Sequence, residues 1–226
     1  MQLTGVLSIG LLLTLSFLDS DIKGGITNIK LVKKTKAFLL AWLLSTFAFI
    51  LIQISYLLQQ PLASSFDLTV IRSYLTQTAI GKSYIVQIIG IILLLSVALR
   101  RVITTYLSLL IALIAIVAPV FQSHGSSSGR HGLAIGALVI HVIALSFWVG
   151  GLFGLTQLSK EQKLIALPRF SELALWSAIT VVITGAATAW TRLDSIEAWQ
   201  SKYGAITLLK ISLAVTLVGF GALHRR

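Results

Sequence analysis

Seven apolar runs alternate with short polar stretches along the chain. They cover residues 3–18, 37–58, 83–99, 102–121, 133–158, 170–191 and 204–223. About 20 consecutive apolar residues carry an α-helix across the hydrocarbon of a bilayer, and the runs approach or exceed that length. The first run is the shortest. It lacks the basic start and small-residue cleavage site of a signal peptide, so it reads as a membrane helix as well. Between the second and third runs, residues 59–82 hold Phe66, Val70, Ile71 and Leu75 at helical spacing. That spacing predicts a short amphipathic helix over 66–77 lying on the membrane surface. The fold class expected is all-α: a polytopic membrane bundle of about seven transmembrane helices plus this surface helix, forming one domain over 1–226.

Composition agrees. The 226 residues are 56% hydrophobic and only 11% charged, with a mean hydropathy of +0.93. The net charge of +11 does not point to nucleic acid, because the charges fall in short groups between apolar runs instead of on one face. Their distribution gives an orientation. With the 19–36 loop placed inside, the inner side receives twelve basic residues: Lys23, Lys30, Lys33, Lys34, Lys36, Arg100, Arg101, Lys160, Lys163, Arg169, Arg225 and Arg226. The outer side receives five, Arg72, Lys82, Arg130, Arg192 and Lys202. By the positive-inside rule the N-terminus is outside and the C-terminus inside a plasma membrane. The basic stretch 160–169 and the stretch 192–203 are read as loops.

The chain has no cysteine, and Met1 is its one methionine. Thiolate metal sites and a thioether path are therefore excluded, which leaves imidazole, carboxylate, carbonyl and water as ligands. Three of the four histidines, His124, His131 and His141, fall between Gln122 and Gly154. His124 and His131 belong to an external Gly/Ser loop, and His141 sits inside the fifth run. Ionisable groups at membrane depth are functional candidates. His131 and His141 are ten residues apart, about 15 Å on a continuous helix. They cannot share one ion, so they suggest a catching site at the mouth and a deeper stop. The other reading is a solvated pair of loop histidines and a His141 bonded to a neighbouring carbonyl.

Further residues are candidates for pathway or packing. Trp148 lies seven residues past His141, on the same helical face. Gly150 and Gly154 form a GxxxG spacing that lets helices approach closely, with Gly151 beside them. Ser177, Thr180, Thr184, Thr188 and Thr191 form a polar stripe, which either lines a path or bonds its own helix carbonyls. Lys210 lies within the seventh run and either snorkels outward or points inward. No catalytic constellation appears: there is no phosphate loop, no HExxH and no nucleophile with a base nearby. The chain is not read as an enzyme.

Three segments carry a family resemblance: SHGSSSGRHGLAIGALVIHVIALSFWVGGL, RFSELALWSAITVVITG and KYGAITLLKISLAVTLVGFGALHRR. They resemble the copper resistance protein D (CopD) family of bacterial membrane proteins. Its histidine loop falls on His124, and its LHxxAxxxWxGGL helix on His141, Trp148, Gly150 and Gly151. Its RFS start with a later TG falls on Arg169, Phe170, Ser171, Thr184 and Gly185, and its YGxxLLxK helix on Tyr203, Gly204 and Lys210. Gln122-Ser123 stands where Thr-Gly is usual, and His224 where Asn is usual. The resemblance is strongest over 119–226. The segment LTVIRSYLTQTAIGKSYIVQ resembles versions in which this domain precedes a cytochrome c oxidase assembly domain. Members usually continue beyond this point, so the sequence reads as part of a longer chain.

The resemblance implies copper transport across the membrane, inward, with transiently bound copper and an external copper-binding protein as a possible donor. His124 and His131 would capture the ion and His141 would be a deeper ligand. Neutral imidazole is the ligand form, so capture should weaken as pH falls through an ordinary histidine pKa of about 6.5. The alternatives are a scaffold delivering copper for cytochrome c oxidase assembly, or a haem-binding electron carrier. A bis-His haem is disfavoured because only His141 lies well inside a run.

Overall fold

The structure, a computed structural model, describes residues 1–18, 29–99, 105–122, 131–192 and 196–224. Helix α1 spans Gln2–Leu13 and runs on as a π-helical turn, Thr14–Leu18. Helix α2 is Ile29–Leu58, followed by a 3₁₀ turn at Leu62–Phe66, α3 at Leu68–Gln77 and α4 at Ala79–Leu99. Helix α5, Thr105–Val117, ends in a 3₁₀ turn at Ala118–Gln122 that contains Pro119. Helix α6, His131–Leu145, passes through a π-helical turn at Ser146–Gly150 into α7, Gly151–Thr156. Helices α8 (Lys160–Arg192), α9 (Ile196–Gln200) and α10 (Lys202–His224) complete the chain, and the described residues contain no strand. The all-α membrane bundle is therefore what the chain forms. Its spans are unequal. Four are long and apolar enough to cross a bilayer: Ile29–Leu58, Ala79–Ser96, Ala134–Thr156 and Lys160–Trp190. Three shorter apolar helices, Gln2–Ser16, Tyr106–Gln122 and Gly204–Leu217, accompany them.

Two expected loops are helix. Helix α2 begins at Ile29, eight residues before the apolar run, and α8 begins at Lys160, ten before its own. At 1.5 Å per residue these helices are about 45 and 50 Å long, well beyond a hydrocarbon core of about 30 Å. Charged residues mark where the membrane ends, and a helix can continue through them into water. The start of α8 is built for this. Ser159 N–H donates to Gln162 Oε1, and Gln162 N–H donates to Ser159 Oγ, a reciprocal capping box. Glu161 in the first turn is held below the usual carboxylate range by its own backbone N–H and then by Ser159. Pro168 lies inside α8, exposed in its basic part, where the missing N–H costs least. The expected loop 192–203 likewise contains α9.

Helix α1 is the centre of the bundle. Eight of its twelve residues are buried, Ile9 and Leu11 completely. Val6, Ile9 and Leu12 pack with Leu39 and Trp42 of α2, Ile91 and Leu94 of α4, and Ala112, Ala115 and Ile116 of α5. On another side α1 meets the π-helical turn Ser146–Gly150 and α7, backbone against backbone. A Cβ on Gly10 would overlap the Gly150 carbonyl, and one on Gly154 would lie 2.6 Å from the Gly10 carbonyl. The hydroxyls within this contact are satisfied locally: Ser8 donates to the Thr4 carbonyl, Thr14 to Gly10 and Ser16 to Leu12. Across to the neighbours, Thr4 Oγ1 and Ser45 Oγ are 2.9 Å apart, and Gln87 Nε2 donates to Thr46 Oγ1 at 3.0 Å.

The surface helix forms as expected. Asp67 caps α3 by accepting from the Thr69 N–H at 2.8 Å. Tyr74 seats it on Ile50, Ile54 and Tyr84, while Phe66 and Leu68 remain exposed.

The close contact gives a direct test. Gly10→Val places side-chain atoms where the Gly150 carbonyl stands and should destabilise the fold by about 3 kcal/mol or more, at the upper end for overpacking. Leu152→Ala removes a half-exposed side chain and should cost little. The monodisperse fraction after detergent extraction should fall sharply for the first and barely for the second. Equal yields would count against the central position of α1.

Candidate functional site

His141 lies on α6, ten residues from its first residue, His131, with unbroken helix between them. The about 15 Å separation therefore stands, and these two residues belong to different levels of the bundle. The half-buried imidazole turns toward α8, where its Nδ1 lies 3.0 Å from Thr184 Oγ1. The Thr184 hydroxyl donates its proton to the Thr180 carbonyl at 2.6 Å. With the proton so placed its oxygen can accept from Nδ1–H, and the Val181 carbonyl is a further hydrogen-bond partner of the ring. This network assigns the proton to Nδ1 and the lone pair to Nε2. A ligating histidine is commonly prepared in this way, with one nitrogen fixed by a neighbour and the other presented.

Gly185 lies beside the ring. A Cβ there would stand 3.4 Å from His141 Cε1, an ordinary van der Waals contact, so the packing would also accept a small side chain. The dipeptide Thr184-Gly185 thus flanks His141, and its threonine hydrogen bonds one nitrogen. The TG motif marks this place in the sequence without saying which histidine it meets.

His141, Gly185 and Thr188 line a cavity of about 270 Å³ with Thr207 and Lys210 of α10. Lys210 therefore shares the cavity with His141. No acidic residue is among the lining residues described. The rest of the polar stripe is less available. Thr180 donates to the Trp176 carbonyl and Thr188 to the Thr184 carbonyl, so these hydroxyls keep acceptor capacity only.

A separate cavity, about 420 Å³, lies nearer the C-terminal ends of α7 and α10. Trp148, Leu152, Phe170, Ala174, Leu217 and Gly221 are among its lining residues. Trp148 therefore belongs to the lower, apolar cavity, one level below His141. Gly151 sits against the Phe170 ring. His124 lies outside the described residues. Among the described residues no three His, Asp or Glu side chains come together as a metal cage. At the His141 level the described lone-pair donors are one imidazole nitrogen and threonine oxygens.

Thr184→Val keeps the shape of the side chain and removes the acceptor for Nδ1–H. It should cost about 1–3 kcal/mol of stability and roughly 10–100-fold in metal affinity at His141. Nitrogen NMR of labelled histidine reads the tautomer directly: the wild type should show a protonated Nδ1 and a lone-pair Nε2, and the valine variant should lose that preference. A wild-type ring protonated at Nε2 would contradict the assigned network.

Comparison with known proteins follows this geometry. The family model described as copper resistance protein D-like, N-terminal domain, matches residues 1–133. The one described as copper resistance protein D matches residues 164–226. His141, Trp148 and the Gly150–Gly154 segment fall between the two ranges, and Thr184, Gly185 and Lys210 within the second. No curated protein and no solved structure gives a match. With the first model alone covering more than half of the sequence, the chain belongs to the copper resistance protein D family and is a copper-handling membrane protein.

Proposed function

We propose that this chain moves copper inward across a bacterial plasma membrane, with His124 and His131 capturing the ion outside and His141 receiving it within the bundle. The observation that carries the reading is the His141–Thr184 pair, because it orients a lone-pair nitrogen in a cavity between three helices. Copper accepts imidazole nitrogen, and the absence of cysteine from the sequence leaves imidazole as the strongest ligand type the chain offers. A path must bind its ion well enough to admit it and weakly enough to release it. One imidazole with threonine oxygens meets that requirement. Inward travel on this reading would run from the histidine level toward the C-terminal end of α10, past the two cavities lined by α6–α7, α8 and α10.

The N-terminus is taken as outside. Besides the charge distribution, Lys34 at the start of α2 donates to Gln157 just past α7 at 2.8 Å, which supports putting these basic connections at one end of the bundle. Ser127→Cys should then be labelled by an impermeant thiol reagent from the external side of intact cells. Labelling only after permeabilisation would reverse the orientation.

The mechanism is tested by uptake. In proteoliposomes, His141→Ala should abolish copper transport while surface binding is partly retained, and His124→Ala or His131→Ala should weaken capture first. Normal transport by well-folded His141→Ala would remove the deep site and leave His141 as a structural residue.

A further inference from the structure

A cavity of about 670 Å³ lies where the end of α3, the start of α4 and the end of α5 meet. These helices line neither cavity on the His141 side. Its polar rim is Gln77, the last residue of α3, Lys82 in the first turn of α4, and Gln122 at the end of the 3₁₀ turn after α5. Ser83 also lines it and donates to the Ile80 carbonyl at 2.6 Å. Val86, Ile114, Val117 and Phe121 are among its apolar walls, and Ile114 stands about 10 Å further along α5 from the rim than Phe121. Val86, Ile114 and Phe121 are exposed, so this is a groove on the outer surface of the bundle. Helix α3 lies along the membrane surface, which puts the rim at its end at headgroup level and the walls beyond it in hydrocarbon. Lys82 is exposed, and no carboxylate is among the described lining residues.

We infer that this groove binds one anionic phospholipid, with its phosphate at Lys82 and an acyl chain along α4 and α5. The site does not depend on the copper path. The Lys82 ammonium donates charge-assisted hydrogen bonds to phosphate oxygens, and the amides of Gln77 and Gln122 are further donors at the same rim. Basic pockets between membrane helices recognise anionic head groups by this chemistry. One lysine balances the single charge of a phosphodiester. A zwitterionic head group brings an ammonium of its own, and the lining has no carboxylate to receive it. The apolar walls distinguish a lipid from free phosphate, because only a lipid has a chain to lay against Val86, Ile114 and Phe121.

Native mass spectrometry of the full chain, released from detergent after incubation with phosphatidylglycerol or phosphatidylcholine, tests this. The wild type should retain one phosphatidylglycerol severalfold more than one phosphatidylcholine. Lys82→Met should bring the two lipids to parity, and Lys82→Arg should keep the preference. Lys202→Met removes an exposed lysine that does not line the groove, and it should leave the preference unchanged. Lys82 is exposed, so its variants should fold, and monodispersity together with the arginine variant verifies that they do. An excess of inorganic phosphate should not displace the bound lipid. Equal retention of the two lipids by the wild type would overturn the site, as would an undiminished preference in folded Lys82→Met. Displacement by inorganic phosphate would show a free-phosphate site and overturn the lipid assignment. None of these outcomes bears on copper uptake, so the transport reading stands or falls separately.

Discussion

The rest of the structure depends on the contact between Gly10 of α1 and the Gly150–Gly154 segment. At Gly10 and Gly150 it brings two helix backbones directly together, and the Thr14 side chain lies against Gly154. Hydrocarbon gives no hydrophobic drive for helices to associate, so close van der Waals packing has to supply it, and small residues are what allow it. The contact explains why a helix as short as α1 is largely buried among its neighbours. It also joins the range matched by the N-terminal family model to the segment that lies beyond it. Once α1 is fixed, α6 and α7 have their position, and His141 faces α8.

The second level of organisation is polar satisfaction. In a membrane each hydroxyl or ring nitrogen must find its partner within the protein. Most threonines and serines here do so on their own helix, one turn back. Thr184 does this as well and has an acceptor position left for His141. The same back-bonding that makes a hydroxyl ordinary thus makes Thr184 an orienting group. Nearer the C-terminal ends of α7 and α10 a second cavity is apolar, with Trp148 and Phe170 in its lining. The His141 cavity thus carries the polar groups, and the cavity beside Trp148 and Phe170 is apolar.

Much of this was legible in the sequence. Apolar run length located the helices, the spacing of Phe66, Val70, Ile71 and Leu75 located α3, and the histidine at depth stood out against its apolar surroundings. Other features were not legible, for physical reasons. Hydropathy reports where the bilayer ends and not where a helix ends, so the basic first turns of α2 and the whole stretch from Lys160 to Arg169 read as loop. The π-helical turns at Thr14–Leu18 and Ser146–Gly150 have no distinctive composition. GxxxG announced a close approach at Gly150 and Gly154 but could not name Gly10 as its partner. His141, Thr184, Gly185 and Lys210 each carried a signal, but their meeting in one cavity is a property of three helices packed together.

The central claim is that His141 Nε2 is a copper ligand within the bundle. X-ray absorption of copper bound to the protein tests it most directly, in a background carrying His124→Ala and His131→Ala so that the external histidines cannot contribute. The spectrum should show imidazole nitrogen in the first coordination shell, with the multiple scattering typical of the ring, and His141→Gln in the same background should remove it. An unchanged imidazole signal after His141→Gln, in protein that remains folded, would contradict the account.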